Sequence, residues 1–219
     1  MRPLTVRTLL CFLVGDAEAI RRVASSRHAV GCGAILLLSA GFAREYDQEY
    51  LLAEPWYLLI PMIASTFVAT VLFMAVWFGL GWRGGRERID ERYRAFLSCF
   101  WMTAPLAWLY AIPVERFLTP VDAVVANAWL LGIVAGWRVI LILRVITVLF
   151  DMKWAPVASL VLWICDTIVI AALVSVPRPL VSIMGGIVHT PEDRLVSHLT
   201  GTICLFAVMA WPVLLIAAA

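Results

Sequence analysis

The chain has 219 residues, 63% of them hydrophobic and 15% charged, with a mean hydropathy of +0.94. Soluble domains are roughly 45–50% apolar and about 25% charged, so a soluble domain, a nucleic-acid binder, a disulfide-stapled secreted module and a disordered linker are all excluded. The net charge of +2 says little as a total; the distribution of charge carries the signal.

Residues 1–28 read as a cytoplasmic, interfacial amphipathic segment, and 29–219 as one transmembrane helical domain. In the first stretch Val6, Leu9, Leu10, Leu13, Val14, Ala17, Ile20 and Ala24 recur at helical spacing, while Arg7, Glu18, Arg21, Arg22 and Ser25 fall elsewhere. Such a helix lies in the interface with its arginines toward anionic headgroups. The rival reading is a signal peptide, since Ala17-Glu18-Ala19 resembles a cleavage site, but the apolar run Leu9–Val14 is shorter than the usual core.

Six apolar segments follow, predicting an all-α polytopic transmembrane bundle of about six spans, five if the first is too short. Ala29–Ala43 is short and is expected to borrow a first turn from the preceding helix. Trp56–Trp82 is long enough to tilt, and Ala95–Ile112 contains Pro105, which predicts a kink. Val121–Leu143 contains Arg138 and stays apolar as far as Phe150. Ala155–Val176 carries Asp166 and is stopped by Pro177-Arg178-Pro179, and Leu199–Ala219 follows.

Orientation follows from the arginines. With the N-terminus in the cytoplasm and six crossings, thirteen basic residues lie inside and only Arg44, Arg116, Arg178 and Arg194 outside. This positive-inside bias places both termini in the cytoplasm of a cell (inner) membrane. The helices running inward open with proline, at Glu54-Pro55, Thr119-Pro120 and Thr190-Pro191. Thr119 and Thr190 are predicted N-caps, each followed by proline at N1 and by Asp122 or Asp193 at N3, where a carboxylate suits the helix dipole. The last helix is therefore expected to begin near Pro191. Sixteen arginines against Lys153 alone fit a GC-rich bacterial genome.

Asp166 is the most informative single residue, because a carboxylate near the bilayer midplane is costly unless paired, protonated or hydrated. Ser159, Trp163, Asp166 and Ile170 share one helical face, expected to point inward. Arg138 is the natural partner, and Asn127 falls on roughly the same stripe as Arg138. Either Asp166 and Arg138 form a structural link that fixes helix register, or Asp166 binds a proton, cation or substrate along a path. The absence of a chain of polar companions weighs toward the first.

Ala128, Gly132 and Gly136 repeat every four residues and make a packing face, within the bundle or between subunits. Thr66 and Thr70, one turn apart, are placed to bond back to their own backbone. Arg21, Arg22 and Arg27, with Arg83, Arg86 and Arg88 of the second cytoplasmic loop, are candidate contacts for anionic lipid headgroups; acids interspersed over Arg83–Arg94 favour a plain solvated loop for that part.

Other motifs are weaker. Gly79-Leu-Gly81-Trp-Arg-Gly84 matches a dinucleotide fingerprint only by its letters, lacking the strand that the motif needs. His189, Glu192, Asp193 and His198 fit no zinc spacing, and five dispersed cysteines read as small apolar side chains. No metal, cofactor or catalytic constellation is read from the sequence, and no nucleophile elbow is present.

Two stretches carry a family resemblance: the helix Leu9–Arg27 leading into the first span, and Trp137-Arg-Val-Ile-Leu-Ile-Leu-Arg-Val-Ile-Thr-Val-Leu-Phe-Asp-Met-Lys-Trp-Ala-Pro156. With the Pro105 kink after a glycine-rich loop, they resemble bacterial members of the Yip1 family of multi-pass membrane proteins. Those proteins have five spans rather than six, and the Asp-Leu-Tyr-Gly-Pro motif of the eukaryotic members is missing here. The resemblance implies a non-enzymatic, membrane-organising or trafficking-type adaptor. The basic cytoplasmic surface and the Ala128/Gly132/Gly136 face give its expected partners, anionic membrane lipids and a second copy or another membrane protein. The alternatives are a small transporter or channel subunit built on Asp166 and Arg138, and a lipid-modifying enzyme using Asp166 or the His189–His198 loop.

Overall fold

The computed structural model describes residues 4–45, 59–79, 89–175 and 190–218. The helices are α1 (Val6–Leu13), α2 (Ala17–Ser25), α3 (Ala29–Glu45), α4 (Ile60–Met74, continued as a π-helix over Ala75–Gly79), α5 (Ile89–Trp101), α6 (Pro120–Phe150), α7 (Trp154–Ser175) and α8 (Pro191–Ala218). Among the described residues there is no strand. Among the described residues, five stretches are long and apolar enough to cross a membrane: Ile60–Gly79, Ile89–Arg116, Pro120–Phe150, Trp154–Ala172 and Pro191–Ala218. A sixth exists if α2 and α3 count as one bent span. The chain is thus an all-α protein with the helices of a membrane-embedded one.

It divides into two compact units, Met1–Ile112 with Leu131–Val157, and Pro113–Leu130 with Ala158–Ala219. In the first, the N-terminal segment folds as two helices instead of one. Gly15, at φ +83°, ends α1 in the left-handed conformation that glycine adopts without penalty. Its N–H bonds to the Phe12 carbonyl at 2.8 Å and the Asp16 N–H to the Cys11 carbonyl at 3.1 Å, the paired bonds of a Schellman stop. Asp16 then caps α2, its carboxylate accepting from the Ala19 N–H at 2.8 Å. The apolar face of α2 is covered by protein, with Ala19, Ile20 and Val23 buried and the helix packed on α5. In α1 it is Val6 and Leu10, with Val14 just after it, that stay exposed.

The chain bends by 106° between α2 and α3, so α3 borrows no turn from its predecessor. Its 17 residues extend about 25 Å, short of a hydrocarbon core of about 30 Å. Close packing of α3 on α5 depends on Gly33, where an added Cβ would sit 2.9 Å from the Cβ of Trp101. Pro105 acts as expected, with a change of helix type: α5 ends at Trp101 and the chain continues as a 3-10 helix over Ala104–Ala111. Trp108, in that stretch, donates its indole N–H to Ser39 Oγ of α3 at 3.2 Å.

An aromatic cluster fills this unit. The Phe73 ring lies 5.3 Å from Tyr93, 6.0 Å from Phe96 and 6.0 Å from Phe150, spacings at which ring pairs attract beyond simple burial. Thr66 and Thr70 bond back to the carbonyls of Met62 and Thr66, and the Thr70 hydroxyl also meets the Tyr93 hydroxyl at 2.8 Å. Of the five cysteines only Cys99 is buried; the other four are half-buried thiols.

The second unit shows both predicted caps. Asp122 N–H bonds to Thr119 Oγ1 at 3.3 Å, and Asp193 N–H bonds to Thr190 Oγ1 at 3.2 Å. The Asp193 carboxylate accepts in turn from the Thr190 N–H, closing a reciprocal capping box. Both α6 and α8 therefore begin at the proline that the sequence marks. The Pro177-Arg178-Pro179 stop lies outside the described residues.

Candidate functional site

Asp166 stands in the second half of α7, half-buried. Its Oδ2 is shielded from solvent and has no hydrogen-bond partner among the described residues, and the same holds for the indole N–H of Trp163, one turn earlier. Trp163 lies 5.9 Å from the ring of Trp211 in α8. Trp211 donates its indole N–H to Thr167 Oγ1 at 3.0 Å, and the Thr167 hydroxyl donates to the Trp163 carbonyl at 2.8 Å. The stripe Ser159, Trp163, Asp166 and Ile170 is half-buried throughout and faces α8 through these contacts. The fully buried side of α7 is Val157, Leu160, Val161 and Ile164, roughly opposite on a helical wheel of 3.6 residues per turn. The expected inward face is therefore a seam between two helices.

Arg138 falls in the other unit, where its Nε donates to Thr103 Oγ1 at 3.2 Å. Thr103 is fully buried and sits where α5 gives way to the 3-10 stretch; its hydroxyl also donates to the Phe100 carbonyl at 2.8 Å. The arginine thus supports the Pro105 break. Asn127, on roughly the same stripe of α6 as Arg138, donates its side-chain amide to Glu115 Oε1 in the short 3-10 turn Val114–Arg116.

The small-residue face of α6 is open. Ala128, Gly132 and Gly136 are exposed, and a Cβ added at Gly132 or Gly136 would meet no atom of the described residues within 4 Å. Arg21 and Arg27 are exposed on or after α2, while Arg22 pairs with Glu18 one turn back. Arg83, Arg86, Arg88 and most of the glycine-rich stretch after Gly79 lie outside the described residues, as does His189. Among the described residues no group of three His, Cys, Asp or Glu side chains is placed to hold a metal.

Sequence reasoning missed the junction between the N-terminal helices and α6. The Leu13 carbonyl accepts from the Trp137 indole N–H at 2.9 Å, and the Gly15 carbonyl accepts from Arg144 Nε at 3.2 Å. Carbonyls at the end of α1 lack helical partners, and two donors seven residues apart on one face of α6 supply them. The Gly15-Asp16 pair signalled the turn; nothing local to residues 13–15 signalled its partners more than 120 residues away. No protein-family model matches this chain, and neither a curated protein nor a solved structure shows significant similarity to it.

Proposed function

We infer that the chain is a non-enzymatic, membrane-organising helical bundle of a bacterial inner membrane, with both termini in the cytoplasm. It works by lateral contact through one face of α6 and by a basic surface turned toward anionic lipid. The open Ala128/Gly132/Gly136 face carries this reading, because small residues exposed on a membrane helix let another backbone approach closely. The resemblance to Yip1-family adaptors and the arginine asymmetry point the same way. The test is cysteine cross-linking at position 132 or 136 in native membranes, combined with Gly132→Leu and Gly136→Leu. Cross-linking of the chain to itself or to a second membrane protein, lost in the leucine variants, is the expected result. No cross-link at either position rejects the lateral-contact reading.

One observation favours a second reading, a small transporter or channel subunit: a shielded carboxylate oxygen on the α7–α8 seam with no partner among the described residues. Intramembrane carboxylates commonly mark ion or proton paths. Under this reading Asp166→Asn abolishes flux in proteoliposomes while the protein still folds. Under the first it leaves flux at background and changes only stability.

A further inference from the structure

We propose that the junction of α1, α2, α6 and the α6–α7 turn is a binding site for one anionic phospholipid. Its headgroup phosphate is held between Arg21 and Arg144, and its first acyl carbons lie against Trp137 and Ile140. A cavity of about 300 Å³ is lined by Ala17, Arg21, Arg144, Thr147, Asp151 and Trp154, among others. A second hollow of about 170 Å³, lined by Leu13, Val14, Trp137, Ile140 and Leu141, shares Arg144 and Trp154 with it. The two adjoin across those shared side chains, a charged compartment beside an apolar one.

The donors are positioned by the fold. Arg144 spends its Nε on the Gly15 carbonyl, which fixes the guanidinium plane and leaves both terminal nitrogens without a partner among the described residues. Arg21, one turn into α2, has no partner among the described residues either. A guanidinium presents its remaining N–H groups in a fork that matches phosphate oxygens. Asp151 is the acid in the cavity wall and pairs with neither arginine; two cations against one anion leave the site net positive. The indoles of Trp137 and Trp154 are partly exposed beside Arg144, the arrangement aromatic side chains adopt at headgroup level. Exposed Leu10, Val14 and Ile140 continue the apolar side outward. A free phosphate would use the arginines alone; the adjoining apolar hollow is what selects a lipid.

This site rests on the membrane-embedded reading given above and deepens its lipid contact, but does not depend on the α6 lateral face. The full-length protein is purified in a neutral detergent, and binding is followed by tryptophan fluorescence and native mass spectrometry. The probes are phosphatidylglycerol, phosphatidylcholine and inorganic phosphate. Saturable binding of one phosphatidylglycerol, with no comparable binding of phosphatidylcholine, is expected. Arg21→Gln should weaken it about fivefold, the loss of one surface cation's attraction. Arg144→Gln should weaken it more, and Arg144→Lys should restore it only in part, because the fork is lost. Arg21 has no partner among the described residues, so its variant tests the site even if Arg144→Gln misfolds. Equal binding of both lipids, or undiminished binding in Arg21→Gln, overturns the proposal; inorganic phosphate binding as tightly as the lipid overturns the lipid as occupant. Absence of any cross-link from positions 132 and 136, with lipid binding retained, would reject the lateral-contact reading and leave this site standing.

Discussion

The helix α5 with its 3-10 continuation and the helix α8 invert the usual relation between greasiness and burial. Over Ile89–Arg116 the most apolar window is 56% buried, whereas over Pro191–Ala218, a more apolar stretch, it is 6% buried. In water the more apolar helix would be the interior one. In lipid the tails are as apolar as leucine, so no hydrophobic force drives a greasy helix inward. Burial goes to the segment that offers polar bonds and close approach. The α5 segment supplies Tyr93, Ser98 and Thr103, all hydrogen-bonded, and receives Gly33 against Trp101. In α8, Leu205, Phe206, Met209, Val213 and Ile216 remain exposed, a lipid-facing surface.

That contrast is broken or sharpened by three substitutions. The largest effect is expected at Phe96, fully buried among Phe73, Phe100 and Phe150. Phe96→Ala should cost about 3–5 kcal/mol, whereas Phe206→Ala, at a residue 67% exposed, should change stability little. Equilibrium unfolding in mixed micelles measures both, and equal losses would break the comparison. Gly33→Ala comes next, since its Cβ would push against the Cβ of Trp101 and force α3 off α5 at a cost of about 1–3 kcal/mol. Disulfide trapping between α3 and α5 reads the separation. The smallest effect is expected at Trp211→Phe, which keeps a ring near Trp163 but loses the bond to Thr167, about 1 kcal/mol. Faster proteolytic release of α8 would report it.

The same contrast explains what could be read from the sequence alone. Local signals were legible: Thr119-Pro120 and Thr190-Pro191 mark helix starts because caps are made within four residues, and Pro105 marks a break because its ring acts on its own helix. Thr66 and Thr70 bond within one turn for the same reason. Burial was not legible in the same way. Hydropathy reports the preference for lipid over water, and both helix faces satisfy it, so the buried side of α7 could not be told from the side that carries Asp166. The partners of Arg138 and Asn127 depended on Thr103 and Glu115, placed by the 3-10 turns that hydropathy does not register. The Trp137 and Arg144 clamp on α1 was hidden because it joins residues remote in sequence.

The length of α6 settles how an arginine can sit in an apolar span. At 31 residues it extends about 46 Å, more than the hydrocarbon and headgroup layers together. With Asp122 at one headgroup boundary, Arg138 lies about 24 Å further along, about 6 Å inside the opposite edge of a core about 30 Å thick and within reach of it for a long side chain, while Arg144, at about 33 Å, lies just beyond that edge. The guanidinium of Arg138 thus stops short of the dry midplane, and the helix behaves as a mast: its foot stands in the aqueous rim, where the N-terminal hairpin is moored to it.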